Sequence, residues 1–98
     1  MSHLLAFVHN VYMHYVYLLK SKRNGRLYTG FTGDLKQRVL DHNGGKVPYT
    51  KNNRPYVLVY YEAYASRGDA QKRERSLKLR SNASLQLRRR IESSINES

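Results

Sequence analysis

The Asn24-Gly25 pair constrains this chain more than any other feature. Before it runs Tyr15-Val16-Tyr17-Leu18-Leu19-Lys20, and after it Leu27-Tyr28-Thr29-Gly30-Phe31-Thr32. Both runs are rich in the aromatic and β-branched types that fit a pleated, half-buried surface. Asn-Gly suits a type I′ turn, which needs positive φ at both central residues. Two antiparallel strands are therefore predicted. With a two-residue loop, Leu19 would face Gly30 and Tyr17 would face Thr32. Tyr17, Tyr28 and Gly30 would then share one face, since paired residues project the same way. The two phenols would stand four positions apart, roughly 13 Å. A longer loop or a bulge would be needed to bring them onto one target.

Beyond the hairpin, Asp34 with Gln37 approximates a capping box and opens a helix over Leu35 to Asn43, stopped by Gly44-Gly45. Residues 44–55 carry Gly, Pro, Asn and Thr and read as a loop. That loop is long for so small a domain and holds Lys46, Lys51 and Arg54, which marks it as a binding loop. Tyr56 to Tyr64 is the clearest strand, apolar on both faces as a central or doubly covered strand would be. Ser66 and Asp69 match a second capping box, followed at helical spacing by Ala70, Arg73, Glu74 and Leu77. Ser81 caps a third helix from Asn82 or Ala83 to about Ser93, and the last residues are expected to fray. The fold class is α+β: a three-stranded, mainly antiparallel sheet flanked by helices, in the order β-β-α-β-α-α.

Ninety-eight residues make one small domain. Its expected extent is residues 14–98, with 1–13 an N-terminal extension. Eighteen Lys and Arg against seven Asp and Glu leave a net charge of +11. That favours a polyanionic partner, nucleic acid above all. Nine tyrosines strengthen this, since they stack on bases and bond phosphates. No membrane partner is expected, because the aromatics fall in strand-like segments and not on one amphipathic helix. The first residues lack a basic n-region and a small-x-small cleavage site, so no signal peptide is expected. The absence of cysteine excludes disulfides and thiolate metal sites, and fits a cytoplasmic location.

Three polar residues stand out on the helices. Glu74 falls beside the apolar stripe of its helix, where a carboxylate is uncommon unless paired or liganded. A pair with Lys78 would contribute only about 0.3–0.5 kcal/mol. A hard-metal role is the sharper alternative, since Mg²⁺ commonly uses one or two carboxylates and fills its shell with water and phosphate. Arg38 is either one more surface cation or a fork of donors for a phosphate. His42, four residues on and on the same face, could bond a phosphate or a phenol, or relay a proton.

At Tyr15-Val16-Tyr17 and Tyr28-Thr29-Gly30 the chain resembles the GIY-YIG nucleases. The stretches Asp34 to His42 and Arg73 to Lys78 look like that family's two helical blocks. It is most similar to small stand-alone members and to the N-terminal nuclease domain of the DNA-repair excinuclease. The first signature lacks its Gly here, and Thr replaces Ile in the second. The resemblance covers roughly Tyr15 to Lys78 and implies a divalent-metal-dependent endonuclease acting on DNA. Glu74 would hold one Mg²⁺ or Mn²⁺, and Arg38 would stabilise the phosphoryl charge with His42 nearby. Tyr17 or Tyr28 would orient or deprotonate water. A free phenol titrates near 10, so a base role needs positive charge to lower it. Gly30 would leave room for a phosphate, and Lys46, Lys51, Arg54 and Arg73 would contact the nucleic acid, DNA ahead of RNA. A lone domain could act weakly, read a shape, or take specificity from a protein partner. A non-catalytic basic nucleic-acid-binding module is the alternative function. A protein-interaction domain using Tyr56 to Tyr64 as an edge ranks behind both.

Overall fold

The computed structural model describes residues 12–79 and 81–98. Nearly all of the extension expected over residues 1–13 lies outside the described residues. Strands β1 (His14–Ser21), β2 (Leu27–Thr32) and β3 (Tyr56–Tyr64) form one antiparallel sheet in the order β2-β1-β3. Helix α1 (Leu35–Asn43) follows β2, a 3₁₀ turn (Lys51–Asn53) precedes β3, and α2 (Arg67–Lys78), α3 (Asn82–Arg90) and α4 (Glu92–Asn96) complete the chain. Among the described residues, no helix is long and apolar enough to cross a membrane.

The helix starts follow the caps in the sequence. Asp34 accepts from the Gln37 amide, Ser66 from that of Asp69 and Ser81 from that of Ser84. The helix expected to run to Ser93 instead breaks at Ile91, a buried residue at φ −110°, and resumes at Glu92. The end of the chain, expected to fray, is held by Lys20, whose ammonium donates to the Ile95 and Ser98 carbonyls at 2.6 and 3.2 Å.

The central strand is β1, not the Tyr56–Tyr64 run. Val16 to Leu19 are buried on four consecutive positions, as only a strand covered on both faces requires. β3 is an edge, with Tyr61 52 % exposed. Its tyrosines pack their rings and keep their hydroxyls paired or wet, so an apolar reading of the letters overstates its burial.

The hairpin register also differs from expectation. Tyr17 lies opposite Gly30 and Leu19 opposite Tyr28. Gly25 is at φ 75° but Asn24 is not at positive φ, so the turn is not type I′. Ser21 directs it instead: its hydroxyl accepts from the Arg23 and Asn24 amides at 3.1 and 3.2 Å, and its own amide bonds the Arg26 carbonyl. The loop is therefore Lys22 to Gly25. The two added residues slide β2 by two positions and bring Tyr28 toward Tyr17.

Each sheet face carries its own core. One holds Val16, Leu18, Ala70, Leu77, Leu87 and Ile91, covered by the three later helices. The other is smaller and is built from Tyr17, Leu19 and Tyr56, with Leu35 and Val39 of α1 packed against them. The bulge opposite Leu18 and Leu19 puts Val59 and Tyr60 together on the larger side.

Arg73, expected to meet nucleic acid, is engaged elsewhere. Its guanidinium forks onto Glu62 of β3, with Nε and Nη2 each donating at 2.9 Å. Tyr60 and Tyr64 donate to the same carboxylate. Burial alone would raise the Glu62 carboxyl, but the fork and the two hydroxyls outweigh it and hold it below the usual carboxylate range. Arg73 thus clamps α2 to the edge strand.

Candidate active site

The smaller face brings together four of the five expected catalytic residues. Tyr17 is only 1 % exposed, and its hydroxyl lies 2.8 Å from His42 Nε2. His42 is fully buried, and its Nδ1 lies 2.7 Å from Thr50 Oγ1. Arg38 stands one turn before His42 on α1, and its positive charge favours the ionised form of the Tyr17 hydroxyl. The Tyr28 ring stands 5.0 Å from His42 and 6.3 Å from Tyr17, centroid to centroid.

The directions of these bonds follow from the donor inventory. The Thr50 hydroxyl donates to the Val47 carbonyl at 3.4 Å, so its oxygen accepts from His42 Nδ1–H. Nε2 then carries a lone pair and accepts the Tyr17 hydrogen at 2.8 Å. This arrangement needs a neutral His42, because a cation would have no lone pair for the Tyr17 hydrogen. Burial and then the Arg38 charge push its pKa below the ordinary value, in agreement.

From the sequence, surrounding charge is expected to lower the pKa of a catalytic phenol. At Tyr17 the opposite holds. Burial pushes it up to about 12, and the nearby Arg38 offsets this only in part. Tyr17 is a hydrogen-bonding hydroxyl at neutral pH, not a standing phenolate.

Gly30 has a different task from the one expected of it. A Cβ there would lie 2.2 Å from Cζ and Oη of Tyr17. The space above Gly30 is filled by the ring of the first signature, so no phosphate enters it. The glycine of one signature is the seat for the tyrosine of the other.

Glu74 stands on α2, the helix that covers the larger face. Its side chain is 19 % exposed and pairs with Lys78 at 3.2 Å. Among the described residues no group of three or more His, Asp or Glu gathers as a ready-made metal cage. A lone half-buried carboxylate still fits a hard divalent ion that keeps most of its water.

The basic loop residues do not converge here. Lys46 is exposed and reaches Asp41 at 4.0 Å. Lys51 and Arg54 line a hollow with Arg23 and Asn52, and Arg54 donates to the Lys51 carbonyl. Thr50, which fixes the histidine tautomer, belongs to no motif in the sequence. The unusual length of its loop is the only signal for it.

A family model described as the GIY-YIG catalytic domain matches residues 13–90. The chain belongs to the GIY-YIG family. It is 48 % identical over 66 residues to a UPF0213 protein of Staphylococcus haemolyticus, covering 66 % of this chain and 79 % of that one. A UPF0213 protein of Bacillus pumilus is 44 % identical over 62 residues, 62 % of each chain. The solution NMR structure of a UPF0213 protein from Bacillus halodurans is 36 % identical, covers 76 % of this chain and 80 % of its own, and superposes with a TM-score of 0.48.

Proposed function

We propose that this GIY-YIG domain is an endonuclease that hydrolyses phosphodiester bonds in DNA with one divalent ion. The observation that carries this is the buried Tyr17–His42 hydrogen bond at 2.8 Å, with Arg38 one turn before His42 on the same helix. A guanidinium and a neutral imidazole beside one buried phenol offer chemistry as well as packing. They suit a reacting phosphate.

Glu74 is the residue that would hold Mg²⁺ or Mn²⁺; when bound, the ion supplies Lewis-acid stabilisation of the phosphoryl and leaving oxygens. Arg38 contacts the phosphoryl oxygens as charge develops on them. Tyr28 is only half-buried and orients the attacking water. Tyr17 takes a proton from that water and in the same step passes its own to His42 Nε2, so no phenolate forms. The water oxygen bonds phosphorus, the P–O bond to the leaving sugar breaks, and the leaving oxygen is protonated from solvent.

Two measurements test this. Cleavage of branched, nicked and plain DNA should require Mg²⁺ or Mn²⁺, vanish with chelator and fall about 10³-fold in Glu74→Gln. Binding without any cutting would leave a non-catalytic nucleic-acid module. The pH–rate profile reads the base. If neutral His42 receives the proton, the rate drops as pH falls through a pKa below 6.5 and is flat from about pH 7 to 9. A rate that climbs tenfold per pH unit across that range would mean a phenolate base and would remove the relay.

A further inference from the structure

Beside the Tyr17 site, along the free edge of β2, lies a cleft of about 570 Å³. Leu27 and Leu77 give it an apolar floor, Tyr28 and Tyr49 one wall, and Lys78 and Arg88 bring cations to it from α2 and α3. It adjoins the candidate active site through Tyr28 on one side and through Glu74, one turn from Lys78, on the other.

Tyr49 is the feature that packing does not explain. It is 82 % exposed. It sits at the tip of the turn Val47-Pro48-Tyr49-Thr50, closed by the Thr50 amide on the Val47 carbonyl at 3.2 Å. Both ends of that turn are anchored, since Val47 is buried and Thr50 is buried against His42. A proline at the second position stiffens it further. The ring is held outward, its one close aromatic neighbour among the described residues being Tyr28 at 5.7 Å between centroids.

We infer that this cleft receives an unpaired nucleotide of the substrate strand, its base stacked on Tyr49 and its phosphates beside Lys78 and Arg88. The inference rests on the nuclease proposal and adds the substrate class: single-stranded or flapped DNA ahead of intact duplex. An exposed ring on a rigid turn is a stacking platform that tolerates any base. In a duplex both base faces are already covered, so only an unstacked nucleotide can use it. The two cations suit the flanking phosphates, and the apolar floor suits the sugar.

The test is equilibrium binding in chelator, where no cutting occurs. The probes are a labelled oligothymidylate, a blunt duplex of equal length, and a single strand carrying a fluorescent purine analogue. Tyr49→Ala is expected to lose about tenfold or more in affinity for single strands while duplex binding holds, and Tyr49→Phe to restore it. The purine analogue should be quenched by the native protein and by Tyr49→Phe, and not by Tyr49→Ala. Because the ring is exposed, thermal melting should be unchanged in both variants. Equal losses on single strand and duplex, or no loss, would overturn the stacking site while leaving the nuclease proposal standing. Failure of the native protein to bind any of the three probes would sink both.

Discussion

Arg38→Ala is expected to slow DNA cleavage by about 10³-fold while affinity for DNA changes by no more than a few-fold. On the proposed mechanism the rate loss follows from removing a forked donor to transition-state charge, which is typically worth about 10² to 10⁵ in turnover. Affinity is spared because a chain of net charge +11 has many other cations for the backbone. Arg38→Lys should recover only part of the rate, since an ammonium cannot fork onto two oxygens. A second readout is independent of turnover. The Arg38 charge helps hold the His42 pKa down, so its removal should move that pKa upward, toward the ordinary value. Histidine titration by NMR would follow this directly. The acidic limb of the pH–rate profile should shift to higher pH by the same amount. Should binding fall as far as the rate, Arg38 is a docking residue and the catalytic assignment is wrong.

Gly30→Ala should be the most damaging single methyl in the protein. The added carbon would meet the Tyr17 ring at 2.2 Å, far inside contact distance. The ring cannot retreat easily, because it is 1 % exposed and packed with Leu19 and Tyr56. Overpacking of this kind costs about 1–3 kcal/mol. Loss of the Tyr17–His42 bond, leaving a buried acceptor unpaired, adds about 1–3 kcal/mol more. The melting temperature should therefore fall by at least roughly 10 °C. Cleavage should be lost even where the variant is folded. Gly33→Ala is the matched control: nothing lies within 4 Å of its added carbon. Its stability should match wild type within about 0.5 kcal/mol. Wild-type melting in Gly30→Ala, with His42 titrating normally, would mean that Tyr17 does not occupy this position.

What is legible in the sequence is local. The caps at Asp34, Ser66 and Ser81 are readable from residue type and spacing and set three helix starts. The strand limits at Tyr56 and Tyr64 and the α+β order are equally plain. The departures are decided by partners far along the chain or by a competing local bond. Asn24-Gly25 points to a two-residue turn, but the Ser21 hydroxyl captures two amides and lengthens the loop. Arg73 looks like a free cation because Glu62, eleven residues earlier, gives no sign in sequence that it faces that helix. Positive net charge suggests a lowered phenol pKa, yet burial of Tyr17 dominates, and burial depends on packing rather than on charge count. Thr50 meets His42 only because the loop folds back against α1.

The two-sided core has a consequence for how relatives of this protein are compared. Its smaller half is made of the candidate machinery itself, since Tyr17 is at once a hydroxyl in the site and the largest fully buried side chain among the described residues. A lineage that abandoned chemistry would still need that ring, and the glycine beneath it, to keep the sheet covered. Both signature motifs would outlive the activity they advertise. The informative positions for sorting working enzymes from retired ones are Arg38 and Glu74, which the scaffold can lose without collapsing.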